Sequence, residues 1–186
     1  MATLGLFWLP ILVSAVLVFI VSSLVHMVFK YHASDYKKLP NEDAVRDAIR
    51  SGKATPGQYV IPHCNNMKEM QSPEMKQKYT EGPVGIITLK KPGPVEMGGA
   101  LVQWFVFTLV ISFLVGNVAY HTLPLNSSHR HVFHVVGTVT WLAYAAAVIP
   151  QAIWMGKPWT AALKDVFDGL LYALVTAAAF MYLWPH

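Results

Sequence analysis

The sequence predicts an all-α membrane protein with four transmembrane helices and a small α+β cytoplasmic lobe between the first and second helices. Apolar residues make up 54% of the 186-residue chain and charged residues only 13%, about half the charged fraction of a globular protein. Four stretches contain no Lys, Arg, Asp or Glu: residues 1–29, 97–129, 131–156 and 169–186. Because a helix of about 20 apolar residues crosses the hydrocarbon layer, we expect each stretch to hold one span.

The predicted spans lie near residues 5–29, 98–120, 132–151 and 164–184. The fourth reaches the required length only if its first turn, with Asp165 and Asp168, lies at the membrane interface. Residues 1–29 lack the basic start and the cleavage site of a signal peptide, so we expect this helix to be retained. The predicted division is a first helix at 1–30, a lobe at 31–97 and helices two to four at 98–186.

The basic residues predict the orientation of these spans. Of the 14 Lys and Arg residues, all but Arg130, Lys157 and Lys164 lie between residues 30 and 91. The first and third loops therefore carry nearly all the positive charge, and the positive-inside rule places them in the cytoplasm. Both termini would then face outward. The lone Cys64 would lie on the reducing side, where no disulfide is expected.

The first loop has the local patterns of a small folded lobe. The predicted elements are a helix after Asn41 ending at Gly52, strands at Gln58–Pro62 and Val84–Lys90, and a helix from Ser72 to near Tyr79. A two-stranded ribbon is marginally stable alone, which predicts support from the helix ends or from another protein. Acidic and basic residues in this loop nearly balance, so we expect no nucleic-acid partner.

Four polar side chains are predicted at one depth near the cytoplasmic ends of the spans. They are His26, Gln103, Gln151 and Asp168, one from each span. Polar groups in a span usually face the bundle interior or a water-filled cavity, so we expect His26 and Asp168 to pair. Two interpretations stay open: a proton or ion relay, and a hydrogen-bonded clamp that holds the helices in register.

A second polar group is predicted at the outer face. His121 ends the second span, and His131 and His134 share one face at the start of the third. Histidine is common in short loops at the membrane interface because it tolerates the headgroup region. The first interpretation is therefore that these three residues only supply polarity at the membrane surface. The alternatives are a transition-metal site built only of imidazoles, or a haem held by His121 and His134. We predict no cofactor beyond these alternatives.

Small residues on the fourth span predict close helix packing. Gly169, Ala173 and Ala177 repeat at intervals of four, the spacing that lets two membrane helices approach closely.

One stretch resembles a known group of proteins. The segment Trp154-Met-Gly156-Lys-Pro158-Trp159, followed by Asp168 and a helix rich in small residues ending at Trp184, resembles the C-terminal half of small four-helix bacterial membrane proteins with no assigned activity. The resemblance covers about thirty residues. It implies a four-span architecture in a bacterial inner membrane and transfers no functional residues.

The sequence contains no phosphate-binding loop, dinucleotide fingerprint, zinc-protease or serine-hydrolase motif. We therefore expect a non-enzymatic subunit of a larger inner-membrane complex, of the energy-transducing or electron-transfer kind, with lipid and other membrane subunits as partners. Two alternatives remain: a small oligomeric transporter or ion-coupled channel using His26 and Asp168, and a redox protein using the outer histidines.

Overall fold

The computed structural model describes residues 4–185, which form two compact units. The helical unit contains the chain up to Tyr36, residues Glu96–Ala152 and the chain from Lys157 onward. The lobe contains Lys37–Val95 together with Ile153–Gly156. In chain order the elements are α1 (Trp8–Ser23), α2 (Glu42–Ser51), β1 (Gly57–Ile61), α3 (Met67–Met70), α4 (Pro73–Glu81), β2 (Gly85–Leu89), α5 (Met97–Thr122), α6 (His129–Ala145), α7 (Ile149–Trp154) and α8 (Trp159–Tyr182).

Four continuous helical stretches are long and apolar enough to cross a membrane. They are Gly5–Val28, Met97–Thr122, His129–Trp154 and Trp159–Tyr182. Short irregular turns complete two of them: a π-helical turn at Leu24–Val28 extends α1, and a 3₁₀ turn at Ala146–Val148 joins α6 to α7. Pro150 accounts for that second irregularity, because proline donates no backbone hydrogen bond and its ring crowds the preceding turn.

The four apolar helices overlap the four predicted spans. The third is about three residues longer at each end, and the largest difference is in the fourth. The fourth helix begins at Trp159 and not near Lys164. Pro158 lies in an extended conformation immediately before it, so the helix starts as soon as the chain leaves the proline. The charged side chains of its first turns are accommodated by ion pairs described below, and they do not delay the helix start.

The helical unit is a bundle in which each long helix contacts its neighbours. Helix α6 packs most extensively on α8, α1 packs on both α5 and α8, and α5 also contacts α6. An apolar core lies where α1 and α6 begin and α5 and α8 end. Its buried members are Phe7, Val115, Ala119, Leu123, Val132, Val136, Ala177, Phe180 and Trp184.

The lobe has the elements that local sequence predicted. Strands β1 and β2 pair antiparallel, with Tyr59 opposite Ile87. Helix α4 starts at the Ser72 cap, whose hydroxyl accepts a hydrogen bond from the backbone N–H of Met75 at 3.2 Å. Helix α2 begins differently: the preceding Asn41 has a left-handed backbone, and its side chain makes no capping bond to the helix.

Candidate functional site at one end of the bundle

The end of α1 reverses the chain and brings a short segment back onto α8. The π-helical turn closes with a hydrogen bond from the Phe29 N–H to the Leu24 carbonyl at 3.0 Å. Lys30 then adopts a left-handed backbone, with φ of 53°. A 3₁₀ turn over Tyr31–Asp35 follows and contacts α8. This reversal delivers the side chains of Tyr31 and His32 to the same place as Asp168.

Asp168 is the centre of this site. Its side chain is 4% exposed, on the buried face of α8. Tyr31 donates its hydroxyl hydrogen to Asp168 Oδ1, while Asp168 Oδ2 lies 2.8 Å from His32 Nε2 and 3.7 Å from His26 Nε2. We call these four residues, His26, Tyr31, His32 and Asp168, the His–Asp cluster.

His32 lies between two carboxylates. Its Nε2 faces Asp168, and its Nδ1 lies 2.9 Å from Asp35 Oδ2. A neutral imidazole carries one N–H, so it can donate to only one of these oxygens. At the other contact, the lone pair of the second ring nitrogen faces a carboxylate oxygen. That contact is unfavourable unless a proton or another cation lies between the two atoms.

Two lysines neutralise the neighbouring carboxylates. Lys164 Nζ donates to Asp35 Oδ1 at 2.6 Å and to the Tyr31 carbonyl at 2.8 Å. Its ammonium group holds the pKa of Asp35 below the usual range, and the His32 hydrogen bond acts in the same direction. Lys157 pairs with Asp165 on the same end of α8. Within residues 4–185, Asp168 pairs only with histidines and has no Lys or Arg partner.

A cavity opens beside the cluster. Its volume is about 270 Å³, large enough for several water molecules. The lining residues are His26, His32, Asp35, Tyr36, Lys157, Pro158, Ala161 and Asp165. The His26 side chain is 49% exposed, whereas that of His32 is 12% exposed. The cluster is therefore most exposed on the His26 side.

The structure does not unite the four polar residues predicted at this depth. His26 and Asp168 lie close together, with Tyr172 Oη a further 3.5 Å from His26 Nε2. Gln103 and Gln151, by contrast, are exposed and lie outside the His–Asp cluster. Equal depth along two helices does not fix the face on which a side chain lies, and both amides lie on outward faces.

The outer histidines were predicted to supply polarity at the membrane interface, with a metal or haem site as the alternative. His121, His131 and His134 are all exposed. Among residues 4–185, the one set of three His, Cys, Asp or Glu side chains with ligand atoms close enough for a shared ion is His26, His32 and Asp168. His121 contacts the ring of Tyr120, and His134 contacts that of Phe133. The potential ligand set therefore lies at the opposite end of the helical unit from the alternative metal site.

The small residues of α8 lie where it meets α6. Gly169, Ala173 and Ala177 are all buried. A Cβ added to Gly169 would lie 3.1 Å from Ala145 Cβ, and one added to Gly137 would lie 3.3 Å from Ala177 Cβ. These distances leave no space for a larger side chain, so the two helix backbones approach closely here.

Sequence reasoning missed Tyr31 and His32 because they follow the end of the first span. One signal was present: His32 and Asp35 stand three residues apart, as do Asp165 and Asp168. Each pair places both side chains on the same side of a helical turn. Two polar i, i+3 pairs at adjoining helix ends indicate a shared site, although the chain reversal that unites them was not predicted.

Comparison with protein-family models, with curated proteins and with solved structures gave no match for this chain. The resemblance to small four-helix bacterial membrane proteins remains a prediction.

Proposed function

We propose that this chain is an integral membrane protein of the bacterial inner membrane and a non-enzymatic subunit of a larger assembly, of the energy-transducing or electron-transfer kind. The four apolar helices support insertion. Large apolar side chains are exposed along them, among them Val102, Val106 and Phe113 on α5. Water would be a poor solvent for this surface, and lipid or protein would cover it.

Gln103 is the observation that favours a protein partner over lipid alone. It is exposed on α5 between the exposed Val102 and Val106, about 7 Å inside the predicted start of the span at 1.5 Å per residue. An amide facing hydrocarbon without hydrogen bonds costs several kcal/mol in principle. A polar group on a partner helix would remove that cost, and side-chain amides commonly join membrane helices in this way.

The orientation has a test in the lone thiol. Cys64 is half-buried in the lobe, and the proposed orientation places it in the cytoplasm. A membrane-impermeant maleimide should leave it unlabelled in intact spheroplasts and label it after lysis. The matched control is Cys64→Ser combined with Asn126→Cys, since Asn126 is exposed in the loop between α5 and α6. That variant should be labelled in intact spheroplasts. Labelling of wild-type Cys64 but not of this variant in intact spheroplasts would show the opposite orientation.

The subunit proposal is tested by photo-crosslinking in the native membrane. A photoreactive amino acid at position 103 should give one discrete adduct with a different protein. The same group at Phe167, which is 53% exposed on α8, serves as the control and should give only lipid adducts. If position 103 gives lipid adducts alone, or an adduct with a second copy of this chain, the subunit proposal is wrong.

The His–Asp cluster favours a second candidate, a small ion transporter using His26 and Asp168. The cavity beside the cluster would be its entrance on one side. If this candidate is right, the wild-type protein should carry ion flux in proteoliposomes, and Asp168→Asn should abolish that flux. Flux equal to that of protein-free vesicles would eliminate it.

A further inference from the structure

The His–Asp cluster has the composition of a metal site with open coordination positions. Two imidazoles and one carboxylate bind Zn²⁺ in many catalytic sites and Fe²⁺ in facial triads. Here the ligand atoms of His26, His32 and Asp168 all lie within 4.8 Å of one another. The three residues come from the end of α1, the 3₁₀ turn after it and α8, so a bound ion would join three separate segments.

The distances fit a shared ion. Bonds of about 2.0–2.2 Å to nitrogen and oxygen place neighbouring ligand atoms roughly 3.0–3.5 Å apart. From Asp168 Oδ2, the two histidine nitrogens lie 2.8 Å and 3.7 Å away, on either side of that range. Each histidine nitrogen is therefore within a few tenths of an ångström of that range from Asp168 Oδ2, and the ligand nitrogens of His26 and His32 lie within 4.8 Å of each other.

The surrounding residues orient the ligands as the second shell of a metal site does. Asp35 lies at the Nδ1 of His32 and can accept its N–H, which leaves the Nε2 lone pair directed at Asp168. This is the carboxylate–histidine arrangement that accompanies most metal-bound imidazoles. Tyr31 donates to Asp168 Oδ1 and leaves Oδ2 for the ion. Both contacts are made to the ligand side chains, at the atoms that the ion would leave free.

The charges favour a cation at this position. Asp35 and Asp165 are each paired with a lysine, whereas the buried Asp168 has no such partner within residues 4–185. Burial of a carboxylate without a permanently charged partner is costly. A divalent ion would supply the missing positive charge and would separate the facing His32 and Asp168 acceptor atoms.

We propose that His26, His32 and Asp168 bind one divalent transition-metal ion of the Zn²⁺ class, with its remaining positions open to the adjoining cavity. His26 lines both this cavity and a second one between α1 and α5, which Ser22, Met97 and Trp104 also line. The ion therefore has an entry path and room for water or one further ligand. The site does not depend on the proposed subunit role.

The test measures Co²⁺ and Zn²⁺ binding to the full chain. The protein would carry no polyhistidine tag, would be purified in mild detergent and would be treated with a chelator. Titration with Co²⁺ should give d–d absorption bands that saturate at one ion per chain, and Zn²⁺ should displace the Co²⁺. A wild-type protein that binds no Co²⁺ would overturn the proposal, leaving the cluster a hydrogen-bonded clamp.

Three variants make the assignment specific. His26→Ala removes a half-exposed ligand, so the fold should survive while affinity falls at least 100-fold. Asp35→Asn leaves the three ligands in place and should weaken binding 10- to 100-fold, the usual effect of a second-shell change. The combined variant His121→Ala, His131→Ala and His134→Ala should retain full binding. Unchanged affinity in His26→Ala, or loss of binding in the triple variant, would place the ion elsewhere.

Discussion

The two ends of the helical unit are stabilised by different interactions. At one end, apolar side chains interlock: the rings of Phe7 and Trp184 meet edge to face at 5.0 Å, and the Trp184 indole donates to the Leu125 carbonyl. At the other end, the His–Asp cluster and the Lys164–Asp35 pair connect α8 to the chain after α1, and the Lys157–Asp165 pair connects α8 to the segment that precedes it. Packing tolerates substitutions of similar shape, whereas a buried polar network fails when one partner is removed.

The largest expected effect is at the polar end, in Asp168→Ala. This change leaves Tyr31 and His32 without their buried acceptor, and breaking a buried pair costs about 3–5 kcal/mol of unfolding free energy. Asp165→Ala is the matched control on the same helix, because Asp165 is 26% exposed and such pairs contribute about 1 kcal/mol or less. Unfolding in mixed detergent micelles measures both. Equal losses in the two variants would contradict a special role for Asp168.

The apolar end should be less sensitive, and Phe180→Ala tests it. Phe180 is fully buried, and its ring lies close to Gly116. Removing a buried Phe costs about 3–5 kcal/mol in soluble proteins. We expect about 3 kcal/mol here, because lipid also solvates apolar side chains and the loss is mainly one of packing. Phe167→Ala, on the exposed face of the same helix, is the control. It should change the unfolding free energy by less than half of the loss expected for Phe180→Ala. A larger loss in Phe180→Ala than in Asp168→Ala would reverse the proposed contrast.

The comparison also explains how much of the structure was predictable. Charge-free stretches predicted the four long helices, because an apolar run of that length has few alternatives. The lobe elements followed from local signals such as the Ser72 cap and the Pro and Gly residues around the strands. These features depend on residues close together in the chain, and the structure has them nearly where the sequence placed them.

The polar end was only partly predictable. Approximate depth in the span suggested His26 with Asp168, but the same argument wrongly included Gln103 and Gln151, since depth carries no information about helix face. His32 joins the cluster through the left-handed backbone of Lys30. A lysine gives no sequence signal for such a turn, because it is usually glycine that adopts this conformation.

The smallest expected effect lies where α6 and α8 meet, in Gly169→Ala. A helical Gly→Ala change normally gains up to about 1 kcal/mol. Here the new Cβ would lie 3.1 Å from Ala145 Cβ and 3.3 Å from the Ala145 backbone nitrogen, and overpacking costs about 1–3 kcal/mol. The net result should be a loss of about 1 kcal/mol in the same unfolding assay. Gly99→Ala is the control, since its Cβ would meet nothing within 4 Å, and its stability should be unchanged or raised. If Gly169→Ala is stabilised as much as the control, the α6 and α8 backbones have room to separate. The contrast between a clamped polar end and a packed apolar end would then not extend to the interface between these two helices.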